Sequence, residues 1–128
     1  MSATDNERFM KLAISLAAKG RTSPNPKVGA VLVSPDGSVE TAHRGELRDG
    51  DHAEFTVIER KCVNRDLKSA VLFSTLEPCV QRNPPKRGCC RHVSGARIKR
   101  VYVGIEDPDP TVAGEGIRYM EEHGVEVT

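Results

Sequence analysis

Apolar positions along the 128-residue chain follow helical and strand periods in turn. Phe9, Leu12, Ala13, Leu16 and Ala17 recur three and four residues apart, as one face of a helix. Thr4 with Glu7 three residues on reads as a capping box at its start, and Gly20 as its stop. Val28 to Val33 is nearly continuous apolar sequence containing a glycine, the pattern of a strand covered on both faces. Pro35-Asp36-Gly37 is a hairpin turn, returning through Val39 to His43. Beyond a polar loop from Gly45 to Asp51, His52 to Lys61 reads as a helix, Val71 to Ser74 as a short strand, and Cys89 to about Gly95 as a short helix. Val101 to Ile105 is the next strand, Gly116 to His123 a helix with Gly124 just past its end, and Val125 to Val127 a last strand. The order α-β-β-α-β-α-β-α-β carries no internal repeat or linker. A hairpin followed by βαβ units predicts a mixed sheet covered by helices.

Composition narrows the class. The length suits one domain with one modest core, residues 1–128 throughout. Hydrophobic residues make up 38%, with no Trp and only two Tyr and three Phe, which is thin for a core that stands alone. Burial between copies, a homo-oligomer, is therefore expected. No stretch approaches the ~20 apolar residues of a membrane span. Met1 to Arg8 is polar and acidic, unlike a secretory leader. Four cysteines without an export signal favour reduced thiols and metal over disulfides, and a cytoplasmic protein.

Net charge is +1, unevenly spread. Arg82 to Arg100 carries seven Lys or Arg and no acid; Glu106 to Glu126 carries seven acids against Arg118 alone. Each block can be a solvated face. The basic block also begins between two candidate metal ligands, where Arg82, Lys86 and Arg87 could grip a phosphate. Basic residues are too few elsewhere, and interleaved aromatics too scarce, for a nucleic-acid footprint.

The chemistry lies in His52-Ala53-Glu54, Pro78-Cys79 and Cys89-Cys90. One imidazole and two thiolates can hold zinc (Zn2+), and three protein ligands leave a fourth position for catalysis. Glu54, two residues beyond the His, can face the metal without ligating it, where a proton shuttle must sit. His-x-Glu followed by Pro-Cys and a second Cys is the pattern of zinc deaminases. That pattern has two residues between the Cys ligands, whereas nine separate Cys79 from Cys89. Hydrolytic deamination needs a nucleophile stronger than water, which zinc provides by bringing bound water to a pKa of about 7. It also needs a group that moves protons to the ring and to the departing amine, which suits Glu54. Helix N-termini at His52 and Cys89 would favour the thiolate forms.

Ser23-Pro24-Asn25-Pro26-Lys27-Val28-Gly29-Ala30-Val31, Thr75-Leu76-Glu77-Pro78-Cys79, and the tail Asp107-Pro108-Asp109-Pro110, Val112-Ala113-Gly114 and Gly116 resemble, in order, the deaminase domain of the bifunctional riboflavin-biosynthesis deaminase/reductase. That domain belongs to the cytidine deaminase-like superfamily, and the resemblance runs from about Phe9 to Val127. It implies a three-layer α/β/α sandwich around a mixed five-stranded sheet. His52, Cys79 and Cys89 would be the zinc ligands and Glu54 the catalytic carboxylate. The family's loop between its Cys ligands is also long, usually one residue shorter than here, and often ends in a Cys pair. Counting back from the strand near Val101, the ligand falls on Cys89; loop length alone leaves Cys90 open.

Asn25, held between Pro24 and Pro26, would offer its amide to substrate, and the free N–H of Ala53 would donate to it. Glu77 can either orient groups around the ligands or pair with an Arg. His43 and His92 read as ordinary polar residues, and Cys62 as a buried core thiol. The resemblance stops where substrate is read. That family tends to place a Ser and His residues directly after the first Cys ligand, whereas Val80, Gln81 and Arg82 stand here, and the loop 44–51 also differs. The expected partner is a small heterocyclic amine, with or without a phosphate. It is either the riboflavin-pathway pyrimidine or another aminopyrimidine or purine. The alternatives are a tRNA-type editing deaminase, against which a +1 chain speaks, and a non-catalytic zinc-binding member, which would have no use for Glu54.

Overall fold

The structure, a computed structural model, describes residues 3–18, 28–44, 46, 52–62, 67–79, 88–105 and 113–128. Its elements are α1 (Ala3–Ala17), β1 (Gly29–Val33), β2 (Val39–His43), α2 (Ala53–Phe55, running on as a π-helical Thr56–Lys61), β3 (Val71–Leu76), α3 (Cys89–Gly95), β4 (Arg100–Ile105), α4 (Glu115–Glu122) and β5 (Glu126–Val127). The strands form one sheet in the order β2-β1-β3-β4-β5. β1 pairs antiparallel with both β2 and β3, while β3, β4 and β5 run parallel. This is the mixed five-stranded sheet that the hairpin-then-βαβ order predicts.

Alternation along the strands divides the core in two. Val31 and Phe73 point to α1, where they bury Ala13 against Phe9, Met10 and Leu16. Ala30, Leu32, Leu72 and Val101 point the other way, into a larger cluster built with Val57, Cys90, Val93 and Met120 from α2 and its extension, α3 and α4. The sheet is thus the middle of three layers, and β1, covered on both faces, is buried from Gly29 to Leu32.

Two details of α1 differ from expectation. The helix is already under way at Ala3, so Thr4 lies inside it and does not cap it. Leu12 is 37% exposed, because the buried stripe is turned toward Asn6, Met10 and Ala13. Asn6 donates from Nδ2 to the Tyr102 hydroxyl at 3.0 Å. The close approach of β1 accounts for this rotation: a Cβ on Gly29 would stand 2.0 Å from the Ala13 carbonyl oxygen and 2.8 Å from the Ala17 nitrogen. Gly29→Ala is expected to cost about 3 kcal/mol, the upper end for overpacking, read as a lowered urea midpoint at unchanged slope.

The hairpin turn has the expected chemistry. Gly37 adopts φ +89°, and the Asp36 carboxylate accepts from the Ser38 backbone N–H at 2.9 Å and from its hydroxyl at 2.7 Å. The helix after His52 departs from a plain α-helix: Cys62 N–H reaches back five residues to Val57 O at 3.1 Å. Such widened turns are frequent at functional sites. Here the widened helix is buried almost all round, at Ala53, Glu54, Thr56, Val57 and Ile58, so two of its polar residues lie inside.

Candidate metal and active site

Three chain segments converge at the ends of β3, α2 and α3. His52 is the residue before α2, with extended backbone at φ −68° and ψ 154° that ends the preceding loop and points the ring inward. Cys79 stands three residues beyond β3, and Cys89 opens α3. His52 Nδ1 lies 3.4 Å from Cys79 Sγ and 3.3 Å from Cys89 Sγ, and the three ligand atoms lie within 4.8 Å of one another. A tetrahedral zinc with ordinary Zn–N and Zn–S bonds sets its N and S ligand atoms about 3.5 Å apart. The donor set and its spacing therefore fit that ion.

The backbone around Cys79 is arranged for a thiolate. The first free N–H groups of α3 are both spent on it: Cys89 N–H donates to Cys79 Sγ at 3.2 Å and Cys90 N–H to the Cys79 carbonyl at 3.0 Å. The Cys79 thiol is held well below the ordinary thiol range, chiefly by the neighbouring Cys89 thiol and, against burial, by the His52 ring and the Cys89 N–H. Cys90 turns the other way. It is fully buried in the larger apolar cluster, and burial, then the nearby charge of Cys79, pushes its thiol up to about 11.

Glu54, in the first turn of α2, is 3% exposed. Its Oε1 is buried without a hydrogen-bond partner among the described residues. Burial raises its carboxyl from 4.5 to about 7, with His52 pulling down and Cys79 pushing up, so it stands within electrostatic reach of the triad. An orphaned buried carboxyl oxygen is costly, and its presence beside three metal-binding atoms marks a group kept for a partner that arrives from outside. Ala53 is fully buried, and as the first helical residue its N–H has no partner within the helix.

Asn25, Arg82 and Lys86 lie outside the described residues, as do Gly20, Arg87 and residues 80–81. Glu77, expected to orient groups around the ligands or to pair with an Arg, has contacts with the backbone of a distant helix that neither expectation named. Its carboxylate accepts from the Gly114 N–H at 2.9 Å and the Ile117 N–H at 3.0 Å, capping α4 from outside. Sequence reasoning missed this contact, although the signal was present: Gly114-Glu115-Gly116 opens a helix with no Ser, Thr, Asp or Asn to cap it. His43 Nδ1 lies 3.2 Å from the Arg44 carbonyl. His92 bridges α3 to α2's extension through Glu59 at 3.1 Å, with Phe55 edge-on to its ring. Cys62 is the core thiol expected, 1% exposed.

The family model "Cytidine and deoxycytidylate deaminase zinc-binding region" matches residues 3–105. The chain belongs to this deaminase family. Its matched region contains the whole His52–Cys79–Cys89 triad and Glu54, so the zinc-binding character of the family and the geometry agree. Among similar proteins, the riboflavin biosynthesis protein RibD of Bacillus amyloliquefaciens is 41% identical over 126 residues, covering 94% of this chain and 32% of its own length. A solved Thermotoga maritima diaminohydroxyphosphoribosylaminopyrimidine deaminase/5-amino-6-(5-phosphoribosylamino)uracil reductase is 40% identical. It superposes with a TM-score of 0.82 over 94% of this chain and 35% of its own. Acinetobacter baumannii RibD superposes at 0.86, with 30% identity, over 98% of this chain and 35% of its own. The chain thus spans about a third of the length of the curated relatives it matches, and the deaminase family fold is the part it shares with them. No helix among the described residues is long and apolar enough to cross a membrane.

Proposed function

We propose that this chain, as a single deaminase domain over residues 1–128, hydrolyses the exocyclic amine of a small aminopyrimidine, leaving a ring carbonyl and releasing ammonia. The observation that carries the reading is Glu54 Oε1, buried without a partner beside the triad. His52 Nδ1, Cys79 Sγ and Cys89 Sγ are the atoms that hold zinc. Zinc supplies the Lewis acidity that makes water a competent nucleophile at neutral pH. Glu54 accepts the proton of the attacking water and delivers it to the ring nitrogen next to the reacting carbon; it then takes the proton of the newly added hydroxyl, as the ring carbonyl forms, and passes it to the amine as the C–N bond breaks. A carboxyl poised at about 7 is suited to both halves of that transfer. The N–H of Ala53 holds the substrate at the mouth of α2.

The relatives' names support a phosphoribosylaminopyrimidine of riboflavin biosynthesis as the substrate. In this reading Asn25 contacts the substrate, and Arg82 and Lys86, between the two Cys ligands, take its phosphate. Two thiols committed to a metal site, Cys79 and Cys89, support a reducing compartment, the cytoplasm. The exposed apolar side chains of Leu12, Ile14, Val39 and Ile105 support association with further copies of the chain.

Ammonia release by the zinc-loaded chain, measured across aminopyrimidines, aminopurines, their ribonucleotides and a tRNA anticodon hairpin, tests the proposal. We expect release from an aminopyrimidine ribonucleotide, with kcat/KM at least tenfold lower once its phosphate is removed. Release from the hairpin alone would replace this reading with nucleic-acid editing. No release from any compound, with one zinc bound per chain, would reject catalysis on this class.

A further inference from the structure

Helix α4 begins without a cap of its own. Its N-cap position is Gly114, at φ +82°, which offers no side chain. The cap arrives from the metal-bearing loop: Glu77 Oε1 accepts the Gly114 N–H at 2.9 Å and Oε2 the Ile117 N–H at 3.0 Å. A carboxylate is well matched to that place, where orphan N–H groups and the helix dipole both favour negative charge. The contact is sealed from water, since Glu77 is only 3% exposed. The helix also rests directly on the loop backbone. A Cβ on Gly116 would stand 2.0 Å from the Pro78 carbonyl oxygen and 3.2 Å from Glu77 Oε2, so only glycine lets α4 sit there.

Cys79 is therefore held from both sides. Upstream, Glu77 is clamped on the first turn of α4, and its own N–H continues the sheet by donating to the Ile105 carbonyl at 2.9 Å. Pro78, with its fixed φ, leaves little slack between that clamp and the thiol. Downstream, the first N–H groups of α3 hold Cys79 Sγ and carbonyl. A helix cap alone would need only a residue at position 114; bringing the carboxylate from two residues before a metal-binding thiol joins the two ends mechanically.

We propose that Glu77 is a positioning residue for the metal centre, its clamp on α4 keeping Cys79 Sγ within reach of His52 Nδ1 and Cys89 Sγ. This inference rests on the triad being the zinc site. Glu77→Gln keeps the shape but loses the charge and one of the two acceptors. Zinc affinity of the full chain, by competition with a chromophoric chelator, is expected to fall tenfold to a hundredfold, and the thiolate-to-metal band of the Co2+-loaded variant to weaken. Glu126→Gln is the control. It removes a carboxylate that pairs with Arg100 at the far edge of the sheet and should leave zinc affinity within twofold.

A second measurement needs no variant. Because coupling is reciprocal, zinc loading of the parent chain should slow hydrogen exchange at the Gly114 and Ile117 amides. A Glu77→Gln chain that melts lower yet binds zinc within twofold of the parent would overturn the inference and leave Glu77 a plain cap. So would exchange at the two amides that ignores zinc. A parent chain that binds no zinc would instead defeat the metal reading itself, and this inference with it.

Discussion

Glu54→Gln will bind zinc as the parent does, will release ammonia about 10²- to 10⁴-fold more slowly, and will lose a pH dependence of stability that the parent shows when stripped of metal. The first two outcomes follow from a carboxyl that moves protons without ligating the ion. The third follows from its burial. In the folded, metal-free chain the Glu54 carboxyl titrates near 7, against an ordinary value of 4.5. Between those values the folded chain holds a proton that the unfolded chain has released, so stability falls as pH rises through that window. A shift of this size is worth roughly 2–3 kcal/mol between pH 5 and pH 8. The amide of Gln does not titrate, so the variant's chemical-denaturation midpoint should not carry this slope. Zinc, a nearby positive charge, favours the carboxylate and should flatten the parent's slope in the loaded chain. The Cys79 thiolate contributes a slope of opposite sign in both chains, so the difference between parent and variant is what reads Glu54. No difference between pH 5 and pH 8 would mean that the carboxyl reaches water, and the buried orphan at the centre of the functional reading would be gone.

How much of this was legible beforehand differs by kind of interaction. The sheet could be read because each strand carries its own evidence: Val28 to Val33 is apolar on both faces and became the interior strand β1, and Pro35-Asp36-Gly37 encodes its own turn. β3, α3, β4 and α4 were placed to within about two residues at their ends, since alternation and helical period are local properties. What was missed is what no local pattern holds. Leu12 has the right spacing for the buried face of α1, yet Gly29 draws the helix in along Ala13 and Ala17 and turns Leu12 outward. The capping box at Thr4 failed because a real helix start depends on where the chain comes from. Glu77 could be recognised as part of a motif, and the uncapped start at Gly114 shows that α4 needs an acceptor, but nothing local says that the acceptor comes from 37 and 40 positions away. The candidate triad was legible for the opposite reason: zinc chemistry demands particular residue types, so the motifs and the family resemblance pointed to residues that the fold does bring together.

The cysteine pair marks the limit of that reasoning, and it yields the sharpest separation of phenotypes. Loop length left Cys89 and Cys90 as alternatives, but neighbours on a helix point about 100° apart, so only one can face His52. Cys89 does, at 3.3 Å from Nδ1, while Cys90 joins Leu32, Val93 and Met120 in the core. Cys89→Ala should therefore cost the metal. If three protein ligands share the roughly 10–16 kcal/mol typical of a structural zinc, losing one lowers affinity by roughly 3 × 10²- to 10⁴-fold, with little change in metal-free stability. Cys90→Ala should cost the fold. It leaves a small void in a sealed apolar cluster, worth about 1–2 kcal/mol, with zinc affinity within twofold of the parent. Paired chelator-competition and urea titrations on both variants read the two quantities independently. Reversed phenotypes would move the third ligand to Cys90 and require α3 to turn by one residue about its axis. That turn would pull the Cys89 and Cys90 N–H groups off Cys79, so it would also have to raise the Cys79 thiol toward the ordinary range, a change that alkylation rates against pH would detect.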